Sequence, residues 1–272
     1  MRALTLAVAM SLALPLGAVQ AGSITYNPYA EFSTSSNPNG VWAYGHTTQT
    51  LGFASNSAFT TSNIVPFGTA ERWVYTPPGS DYSGLATPPS SIPQVLVGRI
   101  IPSGSGPGVP GAMDLRAGIA ATTGTPGSPT PRPGSNGAVL AFTAATAFAG
   151  YSYSFAGAQT INAPNMTAGQ SVNVFITTSI GGTTTAYGAT LAQGGVTSTT
   201  FAALRQFTGG GFTGPALGTP TVILGAGDSI AFTTTANGPP TANNGANTQD
   251  TLWTFQIVAV PEPASLALLG AS

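Results

Sequence analysis

Tyr151-Ser152-Tyr153-Ser154-Phe155 alternates ring and hydroxyl, and Trp253-Thr254-Phe255-Gln256-Ile257 repeats the pattern near the other end of the chain. Successive side chains on a strand point to opposite faces, so each stretch carries one apolar face and one polar face. Ser171–Ile176 reads the same way through Val172, Val174 and Ile176. Working outward, Val41–Tyr44, Arg72–Tyr75, Gln94–Ile101, Ala138–Phe142, Thr221–Leu224 and Ser229–Thr233 are further strand candidates. Leu224-Gly225-Ala226-Gly227-Asp228-Ser229 supplies a Gly/Asp turn between the last two. Beyond the N-terminal segment no apolar pattern of period 3.6 is long enough for a helix. The expected fold is all-β, a single antiparallel β-sandwich over residues 22–258.

Composition agrees. Of 272 residues 42% are hydrophobic, enough for a packed core, while Gly (36) and Pro (23) punctuate turns. Only 5% are charged; Lys is absent and all six basic residues are Arg. Without residues 1–21 five Arg face seven acids, a formal charge of −2. So few cations leave no footprint for a nucleic-acid backbone and no Lys for a phosphate loop, so no nucleic-acid partner is expected. Zero Cys removes disulfides, thiolate metal sites and cysteine nucleophiles. Residues 102–137, rich in Pro, Gly, Ser and Thr, read as one long surface excursion.

The two ends carry an address. Arg2, the apolar run Ala3–Leu16 and the small residues Gly17-Ala18-Val19-Gln20-Ala21 form a secretory signal peptide, residues 1–21, with cleavage expected before Gly22. The apolar run is too short to cross a hydrocarbon layer of about 30 Å. At the other end, Pro261-Glu262-Pro263 precedes the apolar Ala264–Ala271. This C-terminal segment, residues 259–272, resembles the sorting signal of PEP-CTERM proteins, which exosortases process: a Pro-Glu-Pro tripeptide, a hydrophobic helix and an Arg cluster. Pro261, Glu262 and Pro263 match the tripeptide; the helix is expected to be incomplete, because nine residues follow and no Arg cluster does. The resemblance implies exosortase-type machinery as a partner, transient membrane contact through this signal, and release to the cell surface or an extracellular matrix.

The body is similar, less specifically, to jelly-roll domains of exported PEP-CTERM-type proteins. Asn37-Pro38-Asn39-Gly40-Val41-Trp42-Ala43-Tyr44-Gly45 looks like their opening segment. Ala149-Gly150-Tyr151, Gly225-Ala226-Gly227-Asp228 and Asp250-Thr251 follow in the family's order. Where that family shows His-Pro-Gly, this chain reads Asp114-Leu115-Arg116-Ala117-Gly118. The resemblance implies a jelly-roll-like sandwich and no activity.

Candidate chemistry is sparse. Gly209-Gly210-Gly211-Phe212-Thr213-Gly214 fits a dinucleotide string without the strand and helix that motif needs, and reads as a flexible loop. His46 is the only histidine, and no nucleophile elbow accompanies it. Glu71 and Asp81, near Trp73, Tyr75 and Tyr82, are the most suggestive carboxylate grouping for glycoside hydrolysis, while Asp81 and Asp228 also suit turns. Trp42, Tyr44, Trp73, Tyr75 and Tyr82 are candidate platforms for sugar rings, with burial in the core as the competing reading, the stronger one for Trp42 and Trp73. The Thr runs at 183–185, 197–200 and 233–235 read as solvent faces of strands. No catalytic residue, metal or cofactor is expected. The function expected is that of a non-enzymatic surface or matrix protein associating with extracellular polysaccharide in biofilm or floc. The alternatives are a secreted glycan hydrolase, which needs two facing acids, and a coat protein, which buries its aromatics.

Overall fold

The computed structural model describes residues 22–47, 56–58, 70–75, 95–100, 111–117, 137–148, 151–164, 166, 171–219, 221–237 and 250–261. Fifteen strands form among them: β1 (Ile24–Tyr26), β2 (Trp42–Thr47), β3 (Asn56–Ala58), β4 (Ala70–Tyr75), β5 (Val95–Ile100), β6 (Met113–Arg116), β7 (Gly137–Thr143), β8 (Tyr151–Asn162), β9 (Ser171–Ile180), β10 (Thr183–Ala192), β11 (Ser198–Thr200), β12 (Arg205–Gln206), β13 (Thr221–Leu224), β14 (Ser229–Asn237) and β15 (Asp250–Val260). Every pairing is antiparallel. The first sheet runs β11-β8-β15-β6-β5-β4, with β1 beside β15 and β13 beside β8; the second runs β12-β10-β9-β14-β7-β2-β3.

The alternating stretches place the core between the sheets. Tyr153, Trp253, Phe255 and Ile257 point inward from the first sheet, and Trp42, Tyr44, Phe142, Val172, Val174, Ile176 and Phe232 meet them from the second. Phe232 and Phe255 stack with centroids 4.1 Å apart, and Phe201, Phe155 and Trp253 close round them at 5.1–6.4 Å. Full burial of one such side chain is worth about 1.5–3 kcal/mol, so this cluster dominates cohesion.

A small polar network crosses the same core. The Thr251 hydroxyl donates to the Leu115 carbonyl at 2.7 Å, and Trp253 Nε1 donates to the hydroxyl oxygens of Thr251 (2.9 Å) and Thr234 (3.2 Å). Thr251 and Thr234 are also bonded to each other. A hydroxyl carries one proton, and Thr251 directs its own at Leu115, so Thr234 is the donor in that pair. The network ties β14 of one sheet to β15 and β6 of the other.

The strand ends give the sandwich a polarity. The ends that flank residues 48–55, 76–94, 118–136 and 238–249 lie together: Thr47 is in register with Gly137, Tyr75 with Val95, and Asp250 with Arg116. The two chain ends leave from the opposite side, where β1 pairs with the last residues of β15, Ile24 opposite Ala259. We call these the distal end and the terminal end.

Three expectations change. The excursion over 102–137 is interrupted by β6, which is buried and joins β15 to β5; its Met-Asp-Leu-Arg text is too short to show a period. The second sheet is buried on its outer face as well: Phe175, Thr233 and Thr235 are 0% exposed. Thr233–Thr235 is therefore packed rather than solvent-facing, whereas Thr183, Thr184, Thr197 and Thr200 are exposed. Part of that cover is Phe212, which lies 5.3 Å from Phe175 and fills the space over Gly188. The glycine run is a tight reverse turn rather than a flexible loop. Thr208 and Gly211 exchange both backbone hydrogen bonds (2.8 and 3.1 Å) around Gly209 and Gly210 at φ 60° and 89°, the mirror-image turn that hairpins favour.

Candidate functional site

Three of the five residues singled out as sugar platforms, Trp42, Tyr44 and Trp73, lie inside the protein. Asn27 begins a turn: its Oδ1 accepts from the N–H groups of Tyr29 (3.0 Å) and Ala30 (3.2 Å). Glu31 closes that turn, Oε1 accepting from the Asn27 N–H at 2.7 Å. The chain then crosses over β2 and returns through Asn39-Gly40-Val41-Trp42, a two-residue hairpin with Gly40 at φ 59°. A positive φ at the first central position costs a glycine nothing.

This segment fixes each aromatic by its polar tip. Trp42 Nε1 donates to Glu31 Oε2 at 2.9 Å. The Asn37 side chain brackets Tyr44 as a strand would, Nδ2 donating to the Tyr44 carbonyl (2.7 Å) and Oδ1 accepting its N–H (2.9 Å). The Tyr44 hydroxyl accepts from the Ser33 N–H, and Trp73 Nε1 donates to the Ser33 carbonyl at 2.7 Å. Tyr44 stacks on Trp73 at 6.2 Å and packs against Phe32 at 4.9 Å. Trp42 and Tyr44 are 0% exposed and Trp73 is 4%.

The platform expectation for Trp42, Tyr44 and Trp73 is therefore corrected: a covered ring has no face to offer a sugar. The segment around Glu31, Phe32 and Ser33 is the lid that buries them. Tyr75 belongs to β4, its side chain outside the described residues, and Tyr82 lies outside them altogether. Burial pushes the Tyr44 hydroxyl up to about 12, and does the same to Tyr153.

Among the described residues, Glu31 and Asp228 are both engaged in turns. Glu31 is engaged as above. Asp228 organises the Gly225–Asp228 turn, its two oxygens accepting from the N–H groups of Gly225 (2.7 Å) and Gly181 (2.9 Å). Register sets Glu71 opposite Arg99 and Asp250 opposite Arg116, and it sets Asp114 in one row with Arg72 across the side-chain-free Gly98. Glu71 thus neighbours a cation by register, while Asp81 lies outside the described residues. Arg99 also sits 5.9 Å above the rings of Tyr29 and Phe32.

His46, on β2, is 9% exposed, and burial lowers its pKa, which favours the neutral ring. Among the described residues no three His, Cys, Asp or Glu side chains come together as a metal cage would need. Pro261 is partly exposed directly after β15; Glu262 and Pro263 lie outside the described residues.

No family model matches the chain, and neither does any curated protein. The site is therefore read from its own geometry. Its motif residues serve the fold. Asn37 brackets a strand, Asp228 ties a turn to the β9–β10 hairpin, and Thr251 joins the sheets. Glu31 and Asn27 escaped sequence reading. Their spacing of four, just ahead of a Trp eleven residues on, was the available signal.

Proposed function

We propose that this chain is an exported, non-enzymatic structural protein of the cell surface or extracellular matrix, in contact with extracellular polysaccharide. The observation that carries this reading is that, among the described residues, Trp42, Tyr44, Trp73, Trp253, Glu31 and Asp228 are engaged in holding the fold. Trp42, Tyr44, Trp73 and Trp253 are in the core, and the polar tip of each is satisfied by a neighbour within the chain. A lectin that stacks sugars would leave such rings open, and a hydrolase would aim two carboxylates at one gap. Among the described residues, hydroxyls left open to a partner include the exposed Thr183 and Thr184 at the tip of the β9–β10 hairpin. Contact with a glycan would then rest on hydrogen bonds.

The address belongs to the same proposal. Residues 1–21 direct export, and Pro261-Glu262-Pro263 with the apolar residues after it offers an exosortase-type enzyme its substrate. The finer fold is a jelly roll. Its support is that β6 with β7, β8 with β9 and β14 with β15 cross between the sheets, so that β15 lies between β6 and β8 while β14 lies between β7 and β9.

The test is retention of the chain from Gly22 onward on polysaccharide from its producing cells. Retention is expected to survive about 0.5 M salt, at which charge contacts are screened within a few ångströms. Loss of binding in salt would mean ionic contact, and no binding at all would leave a coat protein. Release of reducing sugar ends would overturn the non-enzymatic reading.

A further inference from the structure

The terminal end of the first sheet carries an apolar row in the open. Among the described residues three large hydrophobic side chains are exposed: Val196 (61%), Ile223 (57%) and Val260 (44%). Ile223 and Val260 lie in one cross-strand row, each in register with Ser152 between them, on the outer face opposite the buried Tyr153 and Ala259. The next row reads Thr221–Ser154–Val258–Thr25. Neither row holds a charge. Val196 stands at the other end of the sheet, next to Ser198 opposite Asn162, ten residues along β8 from Ser152 and so roughly 30 Å away.

Chain lengths decide what meets this row. Ala264–Ala271 is apolar, and only residues 261–263 separate Ala264 from Val260, a reach of at most about 14 Å. The apolar run of the N-terminal segment ends at Leu16, eight residues before Ile24, a reach of about 28 Å. Pairing of Ile24 with Ala259 brings both connections to the same corner. When the C-terminal segment enters a bilayer, Val260 is held within one short tether of the headgroups, and its neighbours in the sheet come with it.

We propose that the outer face of β13, β8 and β15 around Ile223, Ser152 and Val260 is a lipid-facing surface that lies against the bilayer while the chain is tethered, with the distal end pointing away. This rests on the proposed membrane entry of the C-terminal segment. An uncharged face of Ile, Val, Ser and Thr suits the interfacial zone, where burying apolar area is favourable and no ion must be desolvated.

The chain has no cysteine, so a single introduced thiol is unique. The chain from Gly22 to Ser272 carrying Ile223→Cys, Thr221→Cys or Val196→Cys, labelled with an environment-sensitive dye, is combined with phosphatidylethanolamine–phosphatidylglycerol vesicles containing lipid-attached quencher. Sedimentation in alkaline carbonate reports the tether separately. The expected result is a tethered chain whose dye at 223 and 221 is quenched several-fold more than at 196. A chain that sediments with equal quenching at all three sites overturns the lipid-facing surface and leaves the tether standing. A chain that does not sediment overturns both. Protection of the 223 dye that grows with protein concentration without vesicles would assign the row to a second copy of the chain and overturn the proposal.

Discussion

Trp42 at the terminal end and Trp253 towards the distal end are both fully buried indoles, yet their N–H groups are satisfied in opposite styles. Trp42 donates to a carboxylate eleven residues earlier, inside a segment that folds on itself. Trp253 donates to two threonine hydroxyls, one of which reaches a carbonyl 136 residues away across the sheet. One end is a local assembly of Asn, Glu, Trp and Tyr; the other forms only when β6, β14 and β15 have all arrived. The first concentrates charge-assisted bonding in few residues, and the second spreads neutral bonding over three strands.

Removing the indoles tests whether the ends are equally essential. Trp253→Ala is expected to cost about 3–5 kcal/mol, because it empties the centre of the aromatic cluster and strips a donor from the Thr network. Urea unfolding with an unchanged slope would measure it, and a loss below about 1 kcal/mol would remove the distal network from any central role. Glu31→Ala is expected to cost about 2 kcal/mol, leaving the Trp42 N–H buried without its carboxylate. Glu31→Gln should recover part of that, because its one amide oxygen can still accept one of the two bonds, and equal losses in both variants would mean that the site needs both carboxylate oxygens.

The double replacement Thr234→Val with Thr251→Val sharpens the other side. Each single change is expected to cost about 1 kcal/mol, and the pair more than the sum, because either hydroxyl alone still accepts from Trp253 Nε1 and removing both leaves that buried N–H without its acceptors. Strict additivity would show that the two hydroxyls act independently. The effect nearest zero around neutral pH belongs to the tyrosines. Burial raises Tyr44 and Tyr153 from 10.0 to about 12, so the protonated folded form is favoured. Their contribution is complete below pH 10 and is lost as pH rises from 10 towards 12. Phenolate absorbance and unfolding should move together in that window, and ordinary titration near 10 in the folded protein would contradict the burial.

What the sequence made legible follows the same division. Period-2 alternation located β8, β9 and β15 because each has an inward aromatic or aliphatic face next to polar residues. It missed β10, whose Thr, Gly and Ala give no strong period, and β6, whose four residues are too few. Trp42, Tyr44 and Trp73 were legible as a group, and burial was the stronger reading for Trp42 and Trp73, but the turns beside them left an exposed platform open as the alternative. Whether a turn stands beside a ring or lies over it is set by partners far along the chain, here the β4 strand that brings Trp73 to Ser33. Asp228 was legible as a turn residue, whereas its second bond, to Gly181, joins residues 47 apart and left no mark in the local text.

The position of β15 has a consequence for how the molecule comes into being. It is the last strand among the described residues and it is central, flanked by β8 on one side and by β6 and β1 on the other. On the proposed export route, a chain threaded from its N-terminus would deliver β1, β6 and β8 long before the strand that joins them. Until residue 260 has emerged the first sheet has a gap in its middle, with β6 and β8 facing empty edges, so threading and folding are separate events in time. On that proposed route the passage would be made by an open chain, with closure waiting for the eleven residues of β15.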